Sequence, residues 1–124
     1  MSYVKELPLW AFNSDERRVG CVLQAASGQL IDILVTHMPP YGILDHYGTP
    51  HTNQDGRVFP QGAHFGSRAL RKFVNKAKPK LHVFGHIHEG HGLEIINDTT
   101  FVNAAILGGD YRVQHKPTVV DIFE

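Results

Sequence analysis

Nine histidines lie within 124 residues, and two of them, His86 and His88, stand two residues apart just after the apolar run Leu81-His82-Val83-Phe84 and a glycine, Gly85. Neutral imidazole binds zinc, iron and nickel, and a His-x-His spacing can project both rings from one tight turn. The spacing alone carries little weight, because at this histidine content about 0.6 such pairs arise by chance. Context supplies the weight. Leu81, Val83 and Phe84 form a buried-strand pattern, Gly85 allows a sharp exit from the strand, and Glu89 and Gly90 keep the turn polar. The stretch reads as a metal-binding turn at the end of a strand.

The elements around it predict how it is positioned. Leu30 to Thr36 is rich in branched residues and nearly continuous, the pattern of a strand covered on both faces, and it ends at His37. A helix is expected from Phe65 or Ser67 to Ala77, with Phe65, Ala69, Leu70, Phe73, Val74 and Ala77 at helical spacing and Pro79 ending it. Two strands joined through one helix suggest a βαβ unit, parallel and right-handed. Both strands would then end at one carboxyl edge, where open α/β sheets bind ligands. That edge receives His37 and His86, and His88 joins them through the turn. His82 lies inside the strand and reads as a packed or hydrogen-bonded core residue.

Between His37 and about Gly62, prolines and glycines interrupt every periodic pattern. Connections of that length are usually functional, so this one is expected to border the site. His46 and His51 lie within it as candidates to touch a phosphate or a metal, beside the plainer reading of exposed loop histidines. Downstream, Leu93–Ile96 and Thr99–Asn103 read as a hairpin turning at Asn97-Asp98. Thr118–Phe123 reads as a final strand behind Pro117. Near the start, Leu7-Pro8-Leu9-Trp10 reads as an extended piece and Asn13–Glu16 as a turn able to cap a short helix.

Composition bounds the function. Twelve Lys and Arg balance twelve Asp and Glu, so no basic field points to nucleic acid or to an anionic membrane. No apolar run approaches the ~20 residues of a bilayer span, and no signal core is recognisable, so a cytoplasmic protein is expected. The lone Cys21 agrees with a reducing compartment, and its apolar neighbours suggest a buried structural thiol. Residues 1–124 read as one domain. The fold class is α/β: a mixed β-sheet with a βαβ unit and a C-terminal hairpin.

Thr36-His37-Met38-Pro39-Pro40, followed after the helix by Lys78 to Gly90 with its Gly85-His86-Ile87-His88 core, resembles the C-terminal half of the calcineurin-like metallophosphoesterase α/β sandwich. Trp10-Ala11-Phe12-Asn13 and Phe101-Val102-Asn103-Ala104-Ala105 are similar to its small branch of metallophosphoesterase-domain-containing proteins. The resemblance implies that His37 and His86 bind one divalent metal (Mn, Fe or Zn) of a dinuclear pair and His88 the other. Such metals sit about 3.5–4 Å apart and activate a water for attack on a phosphate ester.

The family's N-terminal Asp-x-His, Gly-Asp and Gly-Asn-His do not precede His37. Asp45-His46 lacks the intervening residue, and Gly109-Asp110 follows the histidine motif. The chain is therefore expected to be a partial domain of a phosphoesterase, weakly active or inactive alone, with an exposed sheet surface prone to self-association. The alternative is a non-catalytic remnant binding a single metal or a partner. A third reading, a structural zinc module, needs a fourth ligand, for which His91 is the nearest candidate.

Overall fold

The computed structural model describes residues 16–53 and 55–122. The extended piece expected at Leu7–Trp10, and Phe123 of the final strand, lie outside the described residues. The elements run α1 (Glu16–Ala25), β1 (Ile33–Val35), β2 (His51–Thr52), β3 (Val58–Phe59), α2 (Arg68–Ala77), β4 (Leu81–Phe84), β5 (Gly92–Ile96) and β6 (Thr99–Asn103), with a 3-10 turn at His88–Gly90. One four-stranded sheet has the order β1-β4-β6-β5. β1 and β6 run parallel to β4, and β5 returns antiparallel to β6. The sheet is mixed, as the βαβ unit and the hairpin together predicted.

The βαβ unit forms as expected, with Leu34 opposite His82 in the β1–β4 register. α2 starts where Ser67 accepts the Leu70 amide and stops where Lys78 adopts φ +50° ahead of Pro79. Its buried Leu70 and Val74 close over one sheet face, forming a core with Ile43, Phe84 and Phe101. The turn of the β5–β6 hairpin falls at Asn97 and Asp98, both at positive φ, which these short polar side chains tolerate.

The other sheet face corrects an expectation. β1 is covered on one side only: Ile33 and Val35 are 50% and 71% exposed, and on β5 Leu93 and Ile95 are 49% and 67% exposed. Alternation puts these four on the face away from α2, where the sheet centre is still buried at Leu81 and Val102. A continuous branched run reports a burial tendency, and only a packed partner realises it.

Three further expectations change. Cys21 is exposed, because α1 is helical and turns Val19, Leu23 and Ala26 inward while Cys21 takes the opposite side. Residues 116–122 form no strand, and Val119 is 88% exposed. The chain just before this run folds back on itself, with Gln114 and His115 donating to the Ile106 carbonyl. The long loop is ordered by a small ribbon, β2 on β3, and by its own aromatic cluster. There Tyr47 stacks on His51 at 4.0 Å, and Phe65 meets Tyr47, His51 and Phe59 edge-on.

Candidate metal centre

The two histidine-bearing ends are held side by side by the ladder itself. The Thr36 amide donates to the Val83 carbonyl at 3.0 Å, and one step further the Gly85 amide donates to the His37 carbonyl at 3.0 Å. Parallel pairing thus continues past both strands and sets His37 beside His86. Their ring centroids are 4.8 Å apart with the planes tilted by 58°.

His86 is held in a costly conformation. Its φ is +67°, and the Ile87 amide donates to the Gly85 carbonyl at 2.7 Å, a three-residue turn. A non-glycine residue in that region costs on the order of 1–3 kcal/mol and persists where surrounding structure imposes it, commonly at functional sites. Partial desolvation first, and then the neighbouring His37 and His88, push the His86 pKa below the ordinary histidine value. The ring therefore keeps a lone pair at neutral pH, the form a metal requires.

His88 follows in the 3-10 turn. Its Nδ1 lies 3.1 Å from the Gly108 carbonyl, an oxygen that can only accept, so Nδ1 donates and Nε2 is the nitrogen left for another partner. The Tyr111 ring meets the imidazole edge-on at 5.0 Å. Behind the turn, buried Asn103 donates from Nδ2 to the carbonyls of Leu44 at 3.0 Å and Ile87 at 2.8 Å, tying the long loop to the histidine turn. The turn is pressed so close that a Cβ on Gly90 would stand 2.3 Å from the Leu44 carbonyl oxygen. Glu89 adds a third tie by accepting the Gly48 amide at 2.7 Å.

His82 is a core residue, as its place in the strand predicted. It is fully buried, with Nε2 2.9 Å from the Thr36 hydroxyl. That hydroxyl already donates to the Met38 carbonyl at 2.7 Å, so Nε2 is the donor and Nδ1 holds the lone pair, with no partner of its own. Burial pushes the His82 pKa down to about 4.

The loop candidates separate. His51 is engaged in the aromatic cluster, and His46 is exposed, bridging backbone to backbone with His64. His91 stacks on His115 at 4.1 Å, in the hairpin that also carries Gly108 and Tyr111. Sequence reasoning missed the tying role of Asn103 and a pair formed by Asp45 and His64. Spacing offers no signal for either, since each acts across a fold-dependent contact.

Among the described residues no group of three or more His, Cys, Asp or Glu side chains gathers to hold a metal ion. His37 and His86 bring two imidazoles side by side, and imidazole is a nitrogen ligand that suits divalent transition metals. A bridged pair, which needs a carboxylate, does not fit the described residues.

The family model for calcineurin-like phosphoesterase matches residues 2–90. The chain belongs to that family. It is 39% identical over 88 residues to UPF0046 protein K07C11.7 of Caenorhabditis elegans, covering 71% of this chain and 26% of that one. To metallophosphoesterase domain-containing protein 1 of Homo sapiens it is 37% identical over 92 residues, covering 74% and 25%. The chain spans about a quarter of the length of these relatives.

Proposed function

We propose that the chain carries the histidine side of a metal-dependent phosphoesterase centre, acting on a phosphomonoester or phosphodiester, with His37, His86 and His88 as the metal-binding residues. The observation that carries this reading is the 4.8 Å juxtaposition of His37 and His86 at the carboxyl edge of a parallel strand pair. When bound, a divalent ion at such a site supplies Lewis-acid polarisation of a phosphoryl oxygen and a nucleophilic water at neutral pH. The chain's own part is to orient the imidazoles and, by burial, to keep His86 below the ordinary histidine pKa. The strained turn orients His86, and Gly108 fixes the proton of His88 on Nδ1. His46 is open to a substrate on the bordering loop, and His51 shapes that loop through Tyr47.

In this reading residues 1–124 form a partial, cytoplasmic phosphoesterase domain that is weakly active or inactive alone, and the bared sheet face around Val35 and Ile95 drives self-association. A dinuclear Mn, Fe or Zn centre belongs to the complete domain. The test is hydrolysis of bis(4-nitrophenyl) phosphate by the chain with added manganese: slow, His86-dependent release supports the reading. Release that is unchanged in His86→Ala would contradict it.

A second reading is a non-catalytic remnant holding one metal. It is favoured by the lack of a carboxylate gathered with the histidines among the described residues. Metal binding with no hydrolysis under any metal would select it.

A further inference from the structure

Asp45 is completely buried, and its carboxylate is fully engaged. Oδ2 accepts the amides of Gly42 at 2.8 Å and Gly66 at 2.9 Å, and Oδ1 lies 2.7 Å from Nδ1 of His64. The two amides suffice to staple the loop. The third bond holds an imidazole whose side chain is 41% exposed. Because the carboxylate accepts, His64 donates from Nδ1, and its Nε2 is the nitrogen left for another partner. The ring rests beside Tyr41 at 5.2 Å, and the Arg68 guanidinium lies 4.0 Å from the same Tyr41 ring.

Topology puts this pair on the site's edge. α2 runs back against parallel β1 and β4, so its N-terminus, just after His64, lies at the strands' carboxyl edge with His37 and His86. The segment 64–67 is zipped onto the residues that follow His37: Ser67 donates to the Pro39 carbonyl at 2.9 Å, and Tyr41 donates to the Ser67 carbonyl at 2.9 Å. A Cβ on Gly66 would stand 2.3 Å from the Pro40 oxygen, so the two stretches touch backbone to backbone. The helix end itself is taken, since the Glu16 carboxylate accepts from the Ser67 hydroxyl and the Ala69 amide. An anion arriving at this edge therefore meets His64 rather than the helix amides.

We propose that His64, oriented by buried Asp45, is a substrate-binding residue that hydrogen-bonds a phosphoryl oxygen of the ester through Nε2. In the doubly protonated ring, Nδ1–H points at Asp45 and Nε2–H at the phosphate. The positive charge then lies between two oxyanions, and both bonds are charge-assisted. This rests on the phosphoesterase reading and adds a residue to it.

The experiment is a titration of inorganic phosphate into the zinc-loaded chain, followed by NMR of the histidine side chains, with His64→Gln alongside. Gln can keep a hydrogen bond to Asp45 but cannot carry the charge. The expected result is a phosphate-dependent shift of the His64 Nε2 resonance. In His64→Gln, phosphate affinity should fall at least tenfold while zinc affinity is unchanged. Phosphate binding with a silent His64, or undiminished binding in the variant, overturns the proposal and leaves the metal reading standing. Failure of zinc to perturb His37, His86 or His88 sinks the metal reading, and the His64 proposal falls with it.

Discussion

The rings of His37 and His86 come within 4.8 Å because the β1–β4 ladder runs one rung beyond each strand, closing on the His37 carbonyl and the Gly85 amide. Sequence separation between the two residues is spanned by one helix and one long loop, both stapled to the same edge. From this arrangement the following outcomes are expected.

His86→Gly should separate stability from binding. Glycine adopts φ +67° without penalty, so removing the side chain relieves strain. Chemical denaturation should show the variant equal to or up to ~1 kcal/mol more stable than the parent, while its affinity for zinc drops at least ~10-fold. A variant less stable by more than about 1 kcal/mol would show that the left-handed turn carries no strain.

His82 should impose a pH dependence on folding. Its folded pKa, about 4, lies below the ordinary 6.5, so the unfolded chain binds more protons between these values. Stability from this group is complete above pH 6.5 and is lost as pH falls toward 4, by about 3 kcal/mol in total. Denaturant midpoints measured from pH 7 to 4 should show that slope, and His82→Phe should flatten it.

Asn103→Ala should be destabilising by about 3 kcal/mol, because it strands the buried Ile87 carbonyl and the part-buried Leu44 carbonyl. It also frees the long loop from the histidine turn, so zinc affinity should fall with stability. Equilibrium unfolding and metal titration of one preparation measure both, and an undisturbed zinc affinity would separate the clamp from the site.

The bared sheet face should make the chain associate. Ile33 and Val35 on β1 and Leu93 and Ile95 on β5 expose apolar side chains at the two outer strands of one sheet face, with Leu81 and Val102 buried between them. Light scattering should show a mass rising with concentration, reduced in Val35→Lys with Ile95→Lys. A monomer at every concentration would contradict it.

Much of this arrangement is legible in the residues. The branched run before His37, the 3.6-residue spacing of Leu70, Phe73, Val74 and Ala77, and Pro79 ahead of the next strand identify the βαβ unit. Topology then brings His37 and His86 to one edge. Local pattern cannot reveal what depends on distant packing. Ile33 and Val35 carry a buried-strand signature yet face outward, and Cys21 is apolar in its neighbourhood yet exposed. Asp45 and His64 pair only because the loop folds back at Gly42 and Gly66, and Gly108 serves His88 only because residues 106–115 turn over it. Those contacts are set by backbone closure, which leaves no spacing signature.

In the proposed centre His37 and His86 together hold a divalent metal. Calorimetric titration of zinc into the chain and into the double variant His37→Ala with His86→Ala tests it most directly. Saturable binding by the parent that is lost in the variant is expected, with both proteins equally folded by circular dichroism. Absence of binding by the parent, or equal binding by the two, would contradict it.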